Sequence, residues 1–209
     1  QVRVTEAYQR FVPPQLVKDL GKKSILDVHL GDQVEVERSI LFSDIRDFTT
    51  ISEDMTPQQT FALINDYLGR MGPIVRNQSG YIDKFMGDGL MALFHRSASD
   101  AVTAAIKMQH DLLEYNRVAT NTGQPLIDIG VGVNTGKMML GTLGEAGRME
   151  GSVISDAVNL AARLEGLTKL YQTGVLISEE TYLALNKENF NVRLIDQVAV
   201  KGKNKSVMV

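Results

Sequence analysis

The chain has 209 residues, 22 basic and 25 acidic for a net charge of −3, with 44% hydrophobic and 22% charged side chains; such a composition buries a core and excludes a disordered or linker-type polypeptide. Lys201, Lys203 and Lys205 form the only basic cluster, which excludes a general nucleic-acid binder, and no apolar run approaches the roughly 20 residues that span a bilayer. Cysteine is absent, which excludes thiolate chemistry and Cys-based metal sites, and His29, His95 and His110 stand far apart without ligand spacing, which argues against a His-based site and leaves a catalytic metal to carboxylates.

Residues 1–35 read as a lead-in. Glu6 to Leu20 has helical spacing interrupted by Pro13-Pro14, and Gly21 and Gly31 break it before Gly31-Asp32 marks entry to a main domain expected over 36–209. From Val34 the pattern turns strand-like, and Ser39-Ile40-Leu41-Phe42 is a short apolar run ending in the polar cluster Ser43-Asp44-Ile45-Arg46-Asp47. Thr56-Pro57 is a good cap and first-turn pair, and Phe61, Ile64, Tyr67, Leu68 and Met71 recur at helical spacing, predicting one long amphipathic helix closed by Ser79-Gly80. Tyr81 to Phe85 and Leu90 to Phe94 predict two strands joined by Met86-Gly87-Asp88-Gly89, a tight turn that carries a carboxylate. Ser99-Asp100 predicts the cap of a second helix through Asn116, with Ala101, Ala104, Ala105, Met108, Leu112 and Leu113 inward. Gly130, Gly132 and Gly136 punctuate the next strand pair, a glycine-bearing loop covers Gly141 to Gly151, and Ser152 to Leu170 is mostly helical. A strand at Val175 to Ile177, a short helix from Glu179 and a closing strand pair near Val192 to Lys201 complete the chain. This order predicts an α+β fold, a ferredoxin-like (palm-type) antiparallel sheet with helices packed on one face.

Asp44 and Asp88 each end or interrupt a buried strand, and in a ferredoxin-like sheet the first and third core elements lie side by side, so the two carboxylates can converge. Such a pair suits Mg²⁺ or Mn²⁺, and two metals on two carboxylates point to phosphoryl chemistry. By spacing alone a structural reading stands equally: Asp44 caps the following turn and Asp88 satisfies a type I′ hairpin.

The block Phe42-Ser43-Asp44-Ile45-Arg46-Asp47-Phe48-Thr49 and the block Asp83-Lys84-Phe85-Met86-Gly87-Asp88 resemble the two metal-binding signatures of class III nucleotide cyclases. Arg148-Met149-Glu150-Gly151-Ser152, running on through Asn159 to Arg163, is similar to the family's purine-selecting and transition-state segment, and Val200-Lys201-Gly202-Lys203 to its terminal phosphate-binding lysine. Four such motifs in order, over roughly 36–205, are far more specific than any one of them.

The resemblance implies attack of a ribose 3′ hydroxyl on the α-phosphate of a nucleoside triphosphate, with pyrophosphate released, at sites shared by a homodimer. It implies that Asp44 and Asp88, with the Ile45 carbonyl, hold two Mg²⁺ or Mn²⁺ ions per site, and that amides near Phe48 and Thr49 face phosphate oxygens. Asn159 would orient the ribose ring oxygen and Arg163 meet the α-phosphate, while Arg148 and Lys201, with Lys203 as a substitute, neutralise the triphosphate tail. Asn159 and Arg163, at i and i+4, share one helix face. An ordinary solvated face is the alternative, against which the flanking Val158, Leu160, Ala161 and Leu164 favour a buried functional stripe. Lys203 and Lys205 also serve as plain surface charges. Many family members carry glycine where this chain has Asp47, so Asp47 is expected to point outward and is not taken as a ligand.

Lys84 and Ser152 resemble the family's base-selecting pair, most closely its Lys-and-Thr subgroup common in bacteria, which implies ATP as substrate. Lys84 shares a hairpin with Asp88 but is expected on the opposite strand face, which again implies two chains per site, with Asp44, Asp88 and Arg148 from one and Lys84, Ser152, Asn159, Arg163 and Lys201 from the other. The competing readings are a guanylyl or dual-specificity cyclase and a non-catalytic cyclase homology domain acting as a regulatory partner. A dinucleotide cyclase or polymerase is disfavoured because its Gly-Gly-Asp/Glu-Glu-Phe signature is absent. A start at Gln1 and a stop at Val209 inside an alternating segment suggest a piece of a longer protein, with an upstream sensor domain coupled through Glu6 to Leu20. This segment is expected in the cytoplasm, without direct membrane or nucleic-acid contact.

Overall fold

The computed structural model describes residues 12–198 and 206–209. A short helix α1 (Pro14–Asp19), started by proline in its first turn, is followed by a 3-10 turn at Ile25–Asp27 that Ser24 and Asp27 close with a reciprocal capping box. Strand β1 (Gln33–Ile45) is exposed in alternation over its first half and buried over its second, because its N-terminal half meets one neighbour and its C-terminal half is flanked on both sides. Helix α2 (Phe48–Ser52) is a single turn, and α3 (Pro57–Asn77) begins on the predicted Thr56-Pro57 pair, with a capping box between Thr56 and Gln59. Strands β2 (Gly80–Met86) and β3 (Gly89–Phe94) form the predicted hairpin. Helix α4 (Ala98–Thr122) then leads to β4 (Ile129–Glu145), β5 (Arg148–Ile154), α5 (Asp156–Leu170), β6 (Val175–Ile177), α6 (Glu179–Ala184), a 3-10 turn at Lys187–Asn189, and the small pair β7 (Gln197–Val198) and β8 (Val207–Met208).

The main sheet runs β2-β3-β1-β4-β5, all antiparallel, with β6 beside β4 in parallel. The order β2-β3-β1-β4, with helices after β1 and β3, is the ferredoxin-like arrangement predicted. Helices occupy both faces, however. On one face α3 and α4 cover Leu41, Ile45, Ile129, Val131 and Val133; on the other, α1 and α5 cover Ile40, Met91, Leu93, Met138 and Leu140. The glycines of β4 make the second layer possible. A Cβ at Gly132 would collide with the backbone of Ala161 and Glu165, and one at Gly130 with Thr168 and Glu165, so α5 lies directly on the strand.

The remaining departures from expectation have local causes. The stretch from Gly130 to Gly136 belongs to one 17-residue strand, and Gly141 to Gly151 is no loop but the β4–β5 hairpin, with α5 starting only after the Ser155 cap. The second helix is capped by Ser97, whose hydroxyl accepts the Asp100 amide, and runs on to a left-handed Gly123 (φ 70°). Phe61 and Leu113 are each 70% exposed, because the buried stripes follow Leu63, Tyr67, Met71 and Val75 in α3 and Met108, Leu112 and Tyr115 in α4. Among the described residues no helix is long and apolar enough to cross a membrane.

Candidate active site

Alternation along β1 decides where Asp44 points. Leu41, Ser43 and Ile45 face α3, the Ser43 and Tyr67 hydroxyls lying 2.8 Å apart, so Phe42 and Asp44 face the α5 side. Asp44 is framed by residues without side chains: its partner across β4 is Gly130, and a Cβ on Gly89 would come within 2.9 Å of its Oδ1. The turn between β2 and β3 has only its first central residue, Gly87, left-handed (φ 65°), which is the sign pattern of a type II′ rather than a type I′ turn. Asp88 is thereby delivered against Asp44. Burial, then a proton shared with Asp88, then the charges of Asp88 and Glu165 push the Asp44 carboxyl up to about 7, against a weaker pull from the Ile45 amide at 3.2 Å.

Glu165, on α5 above Gly130, is a third acid in this centre and was not legible as a site residue; its only signal is its place two residues after Arg163. Burial raises its pKa, the nearby Arg46 guanidinium opposes, and Asp88 adds to the rise. Carboxylates gathered in a half-buried site are uphill without a cation, and an all-oxygen donor set fits a hard one. Among the described residues no cluster of three or more acids and histidines is spaced to hold a metal by itself. The remaining positions would therefore fall to carbonyl oxygen, water and phosphate, as expected for Mg²⁺ or Mn²⁺.

Lys84 is not on the opposite face. A bulge in β2 leaves Ile82 opposite Ala92 but Lys84 opposite Met91, and Met91 pairs with Phe42, so Lys84 shares the face of Asp44. The bulged residue, Asp83, has a side chain only 3% exposed, with Oδ2 3.6 Å from the Lys84 Nζ. Ser152 is half-buried on β5 opposite Gly141, on the same side of that strand as Glu150. The Glu150 charge is felt at Asp83, where it adds to the rise in pKa that burial causes. Arg148 lies exposed at the tip of the β4–β5 hairpin, opposite Glu145.

Asn159 and Arg163 are exposed, not a buried stripe: the buried face of α5 runs through Leu160, Ala161, Leu164 and Thr168, and the two polar residues fall outside it. Arg163 and Glu165, two residues apart, project about 200° from one another around the helix. Within one chain, the acidic centre and the Asn159–Arg163 pair therefore look out from opposite sides of α5. Phe48 is half-buried against the α3–α4 core and Thr49 is exposed, so what this one-turn helix offers a ligand is chiefly its first amides. Asp47 takes a left-handed conformation (φ 53°) and points outward to the Lys169 Nζ at 2.6 Å. Lys201 and Lys203 lie outside the described residues.

The family model described as Adenylate and Guanylate cyclase catalytic domain matches residues 32–209. The chain belongs to this family. It is the class III nucleotide cyclase family that the motif blocks resemble, and the domain is a cyclase catalytic domain. An adenylate cyclase of Anabaena cylindrica is 39% identical over 99% of the chain, which spans 43% of that relative's length. The crystal structure of the adenylyl cyclase CyaB from P. aeruginosa is 34% identical, with a TM-score of 0.76 over 84% of this chain and 93% of that one. The guanylyl cyclase Cya2 is 32% identical, with a TM-score of 0.70 over 84% and 91%.

Proposed function

We propose that the domain converts ATP to 3′,5′-cyclic AMP and pyrophosphate at sites built between two copies of the chain, in the cytoplasm, under control of a domain upstream of α1. The observation that carries the reading is the convergence of Asp44 and Asp88, beside Glu165, in one half-buried acidic centre. Two bound Mg²⁺ or Mn²⁺ ions would supply acidity to the 3′ hydroxyl and counter-charge to the triphosphate. Asp44, Asp88 and the Ile45 carbonyl would hold them, and the raised pKa of Asp44 means that loading the site releases a proton. The 3′ oxygen loses its proton and bonds to the α-phosphorus, and the bond from that phosphorus to the bridging oxygen breaks with its electron pair leaving on pyrophosphate. Arg163 spreads its forked donors over the α-phosphate as charge shifts, Asn159 fixes the ribose, amides at Phe48 and Thr49 meet phosphate oxygens, and Arg148 and Lys201 hold the tail.

Lys84 donates to an adenine ring nitrogen, and the Ser152 hydroxyl accepts from the exocyclic amine. The likeness to adenylate cyclases of Anabaena cylindrica and P. aeruginosa supports ATP; the similar likeness to a guanylyl cyclase means that the fold alone does not choose the base. The opposed directions of Arg163 and Glu165 support sharing of each site between two chains, since one copy does not turn both sides of α5 onto one nucleotide. The test is turnover of purified protein with Mn²⁺ and either nucleotide. Cyclic AMP is the expected main product, and Lys84→Glu with Ser152→Cys should lower the ATP preference by about tenfold or more. Equal kcat/KM for ATP and GTP in the parent contradicts the ATP assignment, and no product from either nucleotide favours the regulatory-partner reading.

A further inference from the structure

Asp83 is unusual in three respects. Successive strand residues normally point to opposite faces, but the register shift between Ile82 and Lys84 suspends that alternation and leaves the Asp83 carboxylate 3.6 Å from the ammonium of its own neighbour. Its side chain is 3% exposed while that of Lys84 is 37% exposed, so the acid lies beneath the lysine and not beside it in solvent. Its Oδ2 is buried without a hydrogen-bond partner, a costly state for a carboxylate that folding alone does not reward. The floor below is polar, and part of it too lacks partners. The Tyr81 hydroxyl and Asp19 Oδ2 are unsatisfied, and Asp19 is held by Arg38 at 3.2 Å.

We propose that Asp83 is a positioning residue for base selection: its buried carboxylate anchors the Lys84 ammonium from below, so that the donors of that ammonium aim at the purine edge. The proposal rests on the reading of Lys84 as the base-reading donor. Lysine is a flexible four-carbon stem with three donors, and a half-exposed ammonium left untethered would sample several rotamers and read a purine poorly. The ion pair with Asp83 restricts that sampling and leaves the ammonium's donors to the ligand. Burial raises the pKa of Asp83 and the Lys84 charge opposes that rise, the behaviour of an acid that depends on this one cation.

The experiment measures kcat/KM for ATP and for GTP, with Mn²⁺, in the parent, Asp83→Asn, Asp83→Glu, Lys84→Gln and the Asp83→Asn/Lys84→Gln double variant. Asp83→Asn is nearly isosteric and removes a buried charge, so its thermal midpoint should equal or exceed that of the parent. Its ATP-over-GTP ratio should nonetheless fall by about fivefold, because the hydrogen bond from Lys84 to the base loses its aim once the ion pair that anchors the ammonium is gone. Asp83→Glu should restore part of that ratio, and the double variant should be no less selective than Lys84→Gln alone. If Lys84→Gln shifts the ratio while Asp83→Asn and Asp83→Glu both leave it at the parent value, the positioning role is wrong and the base reading stands. If Lys84→Gln itself leaves the ratio unchanged, the base reading fails and the positioning role falls with it. A fall in both nucleotides by the same factor with a lower thermal midpoint shows a structural role only and overturns the proposal.

Discussion

The acidic centre is where single residues decide most. Asp44→Ala and Asp88→Ala should each lower turnover by about a hundredfold or more, the worth of several kcal/mol of charge stabilisation supplied through a bound cation, while circular dichroism stays that of the parent. The raised pKa of Asp44 gives a second expectation, about stability. Between the ordinary carboxylate value and about 7 the folded chain holds a proton on Asp44 that the unfolded chain has released, so this group's contribution to stability falls as pH rises through that window. Denaturant unfolding in a chelator should therefore show the parent losing stability relative to Asp44→Asn from about pH 4 to 7, with Mn²⁺ removing the loss. A parent that gains on Asp44→Asn over that range contradicts the assignment. At this scale the motifs made Asp44, Asp88 and Lys84 legible in the sequence because each sits in a short, ordered block. The place of Glu165 in the acidic centre and the approach of Asp83 to Lys84 were not, since they depend on α5 lying over Gly130 and on a bulge that no residue of β2 announces.

Elements were legible where their boundaries carry their own chemistry. The Thr56-Pro57 pair placed α3, and the Gly87-Asp88 turn placed the hairpin, because both devices act within a few residues. They failed where a residue's reason lies elsewhere in the chain. Gly130 and Gly132 read as interruptions of a strand, whereas they leave room in an unbroken strand for the backbone of α5. The stretch from Gly141 to Gly151 read as a loop because Leu143 and Met149 are about half exposed, and a hairpin with a wet side shows weak alternation. Gly132→Ala tests this layer directly. Its methyl meets backbone at Ala161 and Glu165, which does not yield as a side chain would, so the variant should lose about 2 kcal/mol or more in urea unfolding. A parent-like midpoint would show that α5 does not pack as described. Because α5 carries Glu165 on one side and Arg163 on the other, the same variant should also lower turnover.

Two features of the chain bear on the sharing of sites between copies. The faces of β2 do not separate Lys84 from Asp44, since the bulge puts both on one side of the sheet. Arg163 and Glu165, by contrast, lie about 200° apart on a rigid helix that does not turn both towards one substrate, which supports the proposed sharing of sites. The division of labour that the family resemblance implies assigns Asp44, Asp88 and Arg148 to one chain and Asn159, Arg163, Ser152, Lys84 and Lys201 to its mate. Asp44→Ala and Arg163→Ala chains are then each inactive alone, but in a mixed dimer one site collects both lesions and the other none. The decisive measurement is cyclic AMP production by an equimolar mixture of the two variants, with exchange of subunits verified by differently tagged copies. Shared sites predict recovery of roughly a quarter of parent activity, half the dimers being mixed and half their sites intact. Verified mixed dimers with no activity above either variant would contradict the sharing of sites and return each active site to a single chain.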